Sequence, residues 1–171
     1  ELIDNRLKQK TVCQLDHKKF TSPELLQLSE SILDFYQVAA ERLSSLDGLF
    51  TLPHESLFIQ NPEYRKILLQ QIDEKKARGL HVAAKYHPRN SDPDILNLAE
   101  AGVDLLPAGV SFEAILPLLP TSTHIIGDLS STLLIARWLR PELKVTSICS
   151  GEGNPDFIKL FHALDIEVNY V

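Results

Sequence analysis

Leu80-His81-Val82-Ala83-Ala84-Lys85-Tyr86-His87-Pro88-Arg89 is the most strand-like run in the chain, and it opens directly onto the polar loop Asn90-Ser91-Asp92. Pro88 biases His87 toward extended geometry and away from helix, so the histidine is expected at the mouth of a strand over 80–86. Alternation along that strand puts Lys85 and His87 on one side and Tyr86 on the other. Two cationic or proton-donating groups at a strand end suit an anion. A basic surface loop would read the same way in Lys85-Tyr86-His87-Pro88-Arg89 alone.

Outward from this stretch, strands and helices alternate. Strands are expected at 56–60, 80–86, 103–106, 123–126, 143–149 and 166–170, with helices near 62–78, 93–101, 111–118, 130–139 and 154–164. Asn61-Pro62 and Asn154-Pro155 mark helix starts, while Gly79 and Gly102 stand just past helix ends. Strands separated by helices of this length imply βαβ units with right-handed crossovers. The fold class is therefore α/β, a Rossmann-like parallel sheet over 55–171, with the boundary cut between Asp47 and Pro53.

Residues 1–54 are expected as a linker and an amphipathic helix. Ser22-Pro23-Glu24 is a helix start, and Leu25, Leu28, Ile32, Phe35, Tyr36, Ala39, Leu43 and Leu46 recur at helical spacing up to Asp47-Gly48. Residues 1–20 show no sustained period. The chain starts at Glu1 and contains no methionine, which points to a piece of a longer protein with a further amino-terminal domain.

Bulk properties exclude several classes. A net charge of −6 argues against a general nucleic-acid binder. No apolar run approaches the roughly 18 residues that cross a bilayer, and no signal sequence opens the chain. Cys13 and Cys149 form no paired motif, so a reduced, cytoplasmic protein is expected.

In an open parallel sheet, ligands bind beyond the carboxyl ends of the strands. The loops expected there carry His87-Pro88-Arg89, Pro107 through Glu113 including Gly109, Gly127-Asp128-Leu129-Ser130-Ser131-Thr132, and Ser150-Gly151-Glu152-Gly153. Ser130-Ser131-Thr132 begins a helix, so unpaired N–H groups and hydroxyls converge as in phosphate sites; simple capping by Ser130 or Asp128 is the competing role. Glu113 suits the hydroxyls of a ribose, or merely the helix dipole. His81 and His124 sit in strands as structural residues, and His17, His54 and His162 lack partners at ligand spacing. No metal site, phosphate-binding Gly-x-x-x-x-Gly-Lys loop, dinucleotide fingerprint or serine-hydrolase elbow is present, and Cys149 fits the core better than a nucleophile.

With these motifs in this order, residues 55–150 resemble the carboxyl-terminal half of bacterial sialyltransferases of the polysialyltransferase and lipooligosaccharide sialyltransferase groups. Those are GT-B enzymes built from two Rossmann-like domains. The resemblance implies a CMP-binding domain of a glycosyltransferase that moves sialic acid from CMP-sialic acid to a glycan acceptor in surface-polysaccharide synthesis, without a metal or other cofactor. It gives His87 contact with the donor phosphate and help to the departing CMP, Ser130 and Ser131 a grip on that phosphate, and Glu113 the ribose. Pro88, Gly109 and Thr132 complete the expected nucleotide site. The implied location is cytoplasmic, with peripheral attachment at the inner membrane as a variant. The family's acidic base sits in an acidic-acidic-Gly motif on the amino-terminal domain. Asp47-Gly48, preceded by Leu46, does not match it, so this chain is expected to bind CMP without turning over. A CDP-glycerol glycerophosphotransferase of the teichoic-acid type shares the His-Pro loop and the Asp-x-Ser-Ser element. A non-catalytic interaction module on the same scaffold is the third possibility.

Overall fold

The sheet is built around a strand that the sequence pattern hides. In the computed structural model, which describes residues 16–149, 151 and 154–170, β1 (Gly48–Thr51) lies between β2 (Val82–Lys85) and β4 (His124–Gly127). With β3 (Asp104–Leu106), β5 (Lys144–Cys149) and β6 (Glu167–Tyr170), the order is β3-β2-β1-β4-β5-β6, and every pair is parallel. This is the doubly wound, Rossmann-like arrangement that the alternation of elements implied.

Alternation along β1 divides the core. Leu49 is fully buried on one face with Ala83, Leu106, Ile125 and Val145, under α1 (Pro23–Phe35), α4 (Phe112–Ile115), α5 (Ser131–Leu139) and α6 (Pro155–Ala163). Phe50 is fully buried on the other with Val82, Ala84, Tyr86 and Ile126, under α2 (Glu55–Gln60) and α3 (Pro62–Ala77). Each buried Val, Leu, Ile or Phe side chain contributes about 1.5–3 kcal/mol by leaving water.

Five expectations need correction. The strand expected at 56–60 is α2: His54 caps it by accepting the Ser56 N–H, Asn61 caps α3 directly after it, and Phe58 is buried while Ile59 is exposed. Consequently the cut between Asp47 and Pro53 falls on the central strand, and α1 packs Leu33 on the same core as Leu49. The helix expected over 22–46 stops at Phe35. Val38 N–H donates to Leu33 O and Gln37 N–H to Asp34 O, a Schellman closure with Gln37 left-handed at φ 58° and Val38 packed near Leu33. The residues after it reach the core through a 3-10 turn at Ala40–Arg42.

The helix expected at 93–101 is a run of turns. The Asp94 carboxylate accepts from the N–H groups of Leu98 and Ala99, and Asn97 is left-handed, so local side-chain bonds replace a helical ladder. The helix expected at 111–118 is α4 followed by a 3-10 turn at Leu116–Leu118, where Pro117 has no N–H to continue the α-helix. Cys13, Ser150, Glu152 and Gly153 lie outside the described residues. No helix among the described residues is long and apolar enough to cross a membrane.

Candidate functional site

Strand order reverses direction between β1 and β4, and the crevice beyond their carboxyl ends is where open parallel sheets take ligands. Thr51 closes β1 level with Lys85 on one side and Gly127 on the other, so those two residues stand two strand spacings, about 10 Å, apart. His87 follows Lys85 by two residues and Ser130 follows Gly127 by three, so they flank β1 from opposite sides. Gly127 permits this close seam: a Cβ there would meet the Thr51 hydroxyl and, at 2.8 Å, the Thr51 carbonyl.

On the β4 side, Ser130 is the N-cap of α5 but makes no side-chain capping bond. Its hydroxyl is buried and without a hydrogen-bond partner, so the capping role that competed with ligand binding is not taken up. Ser131 is exposed and Thr132 half-buried in the first turn. Burial raises the Asp128 carboxyl above the usual carboxylate range; the nearby Ser130 hydroxyl opposes this from outside hydrogen-bond geometry. Tyr64, in the first turn of α3, is fully buried with its hydroxyl unpartnered and within electrostatic reach of Asp128. Beside them, Leu57, Asp128, Ile148, Cys149 and Phe157 line a cavity of about 270 Å³.

On the β2 side Tyr86 and Lys85 go to different surroundings. Tyr86 turns into the core beneath α3, where its hydroxyl donates to Asp94. Lys85 is only 8% exposed and donates to Ala108 O at 2.9 Å. Burial lowers its pKa, and the charge of Glu113 works against that shift. His87 accepts the Arg89 N–H on Nδ1 at 3.2 Å. Burial, then Arg89, His54 and Lys85, lower its pKa, which favours the neutral ring. Pro88 is exposed at the loop turn.

Lys85, His87 and Glu113 thus form one electrostatic group, and Ser130, Asp128 and Tyr64 another across the crevice. Gly109 directly follows Ala108, whose carbonyl Lys85 holds. The Gly109 carbonyl accepts the Tyr36 hydroxyl at 3.0 Å, and a Cβ there would approach the Tyr36 ring at 3.2 Å, so this glycine serves packing against the end of α1.

The sequence pattern gave no weight to His54, which now faces His87 with ring centroids 5.5 Å apart. It also passed over Glu55, whose carboxylate accepts from Ser91 N at 3.0 Å and Ser91 Oγ at 2.5 Å, while Glu55 N donates to Asn90 Oδ1. Had 48–51 been recognised as a strand, the rim rule would have put both residues beside His87. Asp47 and His81 lie at the opposite end of the sheet, where Asp47 Oδ2 accepts the His81 N–H at 2.8 Å; this acid is remote from the crevice.

Larger recesses lie elsewhere. One, of about 560 Å³, is an apolar groove around Trp138 and Leu160, and another, of about 580 Å³, is polar and centred on His124 and Lys144. Among the described residues no group of three or more His, Cys, Asp or Glu gathers as metal ligands. No family model, no curated protein and no solved structure matches this chain.

Proposed function

We propose that the chain is a nucleotide-sugar-binding domain that holds CMP across the β1–β4 crevice and serves a glycosyltransferase using CMP-sialic acid with a glycan acceptor. The observation that carries this reading is the uncapped, buried Ser130 hydroxyl at the start of the nine-residue α5, across β1 from His87. A phosphate between them accepts the Ser130 and Ser131 hydroxyls, the first N–H groups of α5 and the His87 Nε2–H. Glu113, in the same electrostatic group as Lys85 and His87, is assigned the ribose hydroxyls.

The chemistry asks for such donors. The bond between the anomeric carbon and the phosphate oxygen breaks, its electron pair leaves on phosphate, and donors aimed at the growing charge lower the barrier. The proton of the acceptor hydroxyl goes to a base for which these residues offer no candidate, since Asp47 is at the far end of the sheet. In keeping with that, a further amino-terminal domain would carry the base and most of the acceptor site, and the work would be done in the cytoplasm or at the inner membrane surface.

Titration calorimetry tests the site. CMP should bind the wild type and lose at least about tenfold in affinity in a Ser130→Ala/Ser131→Ala double variant, as expected for hydrogen bonds to a charged group. Equal affinity in both would remove the assignment. Because Gly127-Asp128-Leu129-Ser130-Ser131 also suits CDP-glycerol, competition between CMP-sialic acid and CDP-glycerol decides the donor. A domain that responds to neither nucleotide is an interaction module.

A further inference from the structure

His54 and His87 end the first segments of the loops that follow β1 and β2, and their rings meet edge to face at 5.5 Å and 77°. Each ring is fixed in the same way. His54 Nδ1 accepts the Ser56 N–H and His87 Nδ1 accepts the Arg89 N–H, both at 3.2 Å and both two residues ahead; the Ser56 hydroxyl also stands 3.0 Å from His54 Nδ1 and, with the N–H donating there, is a second donor to it. A backbone N–H only donates, so Nδ1 carries no proton in either ring, and the neutral tautomer has its hydrogen on Nε2. No partner among the described residues takes either Nε2–H. An Nε2 that bears hydrogen offers no lone pair to a metal; it offers a donor to an oxygen.

The spacing of the two donors is set before any ligand arrives. Glu55 clasps the second loop through Ser91, and Asn90 returns the contact to the Glu55 N–H, so the loops after β1 and β2 are held as one body. That preorganisation removes an ordering cost from binding. Two Nε2–H donors on rings in edge-to-face contact can reach separate oxygens of one phosphate.

We infer that His54 and His87 form a two-imidazole clamp in which both Nε2–H groups donate to one phosphate group. For CMP as the ligand, the clamp rests on the function proposed above and adds to it a phosphate-binding residue, His54, outside the His-Pro loop.

Two replacements at His54 separate binding from capping. His54→Asn keeps an acceptor for the Ser56 N–H and removes Nε2, whereas His54→Gln keeps an N–H donor near the Nε2 position and removes the cap. The clamp predicts that His54→Asn weakens CMP binding about tenfold or more while leaving cytidine binding unchanged, and that His54→Gln retains most of the CMP affinity. In nitrogen-detected NMR of the wild type, inorganic phosphate should shift the Nε2 signals of both rings. If CMP binds the wild type and His54→Asn equally and phosphate moves neither signal, the clamp is wrong and the nucleotide reading stands. If CMP fails to bind the wild type but phosphate shifts both rings, the nucleotide reading is wrong and the clamp stands.

Discussion

The two ends of the sheet treat polar groups in opposite ways. At the amino-terminal end, Thr123 Oγ1 donates to Leu46 O at 2.7 Å, Asp47 accepts the His81 N–H, Ser45 meets His81 Nδ1 and Arg42 pairs with Asp104. Arg140, 4% exposed, donates to the carbonyls of Leu116, Pro117 and Leu119 and pairs with Glu142. Toward the carboxyl-terminal end, buried atoms go without partners: Tyr64 OH, Asn90 Nδ2 and Ser130 Oγ, together with Ser147 Oγ on β5 level with Gly127. Leaving a buried polar group unpaired costs about 1–3 kcal/mol, so the second end carries a cost that the first avoids. A ligand that supplies acceptors and donors there repays it.

Three substitutions probe this contrast. Arg140→Ala should have the largest effect, a loss of about 3–4 kcal/mol in urea unfolding, because it strips three buried carbonyls of their donor. CMP affinity of the folded fraction should not change; a parallel loss of affinity would mean that the two ends are not independent.

The next effect is in pH. His124 at the start of β4 accepts from Lys75 Nζ on Nδ1 and donates from Nε2 to Thr146, and burial, then Lys75 and Lys144, lower its pKa to about 4. Its pKa in the unfolded chain is the higher of the two, at about 6.5. Its neutral form therefore contributes stability that is complete above that value and lost as pH falls toward 4. Between pH 7 and pH 5 the loss should be about 1 kcal/mol once partial exposure is discounted. Denaturation of His124→Gln at both pH values checks this: an unchanged pH dependence would free His124 of the effect.

Smallest and opposite in sign is Tyr64→Phe. Removing an unpartnered buried hydroxyl should raise stability by about 0.5 kcal/mol, measured by thermal unfolding, while CMP affinity falls. A destabilised variant would show that the hydroxyl already has a partner in the unliganded protein.

Much of this was legible in the residues. Strands β2 to β6 stood out as short apolar runs between caps, and the rule that ligands gather at strand carboxyl ends singled out His87 and Ser130. β1 was concealed because Gly48–Thr51 follows Leu43 and Leu46, which continue a helical spacing although a Schellman turn has already ended the helix at Phe35. Leu57-Phe58-Ile59 could be strand or helix, since so short an apolar run has no decisive period. His54 was lost along with β1. Tyr64 was invisible for a different reason: what marks it is the absence of a partner for its hydroxyl, and a sequence does not record which groups go unpaired.

The central position of β1 also bears on synthesis. One edge of this strand is covered once Val82–Lys85 has been made, but the other waits for His124–Gly127. Until then the nascent chain presents an open edge flanked by Leu49 and Phe50, the kind of surface that pairs with other chains. Slow translation between residues 85 and 124 would lengthen that exposure, so the protein should aggregate more when elongation stalls there than when it stalls after Gly127.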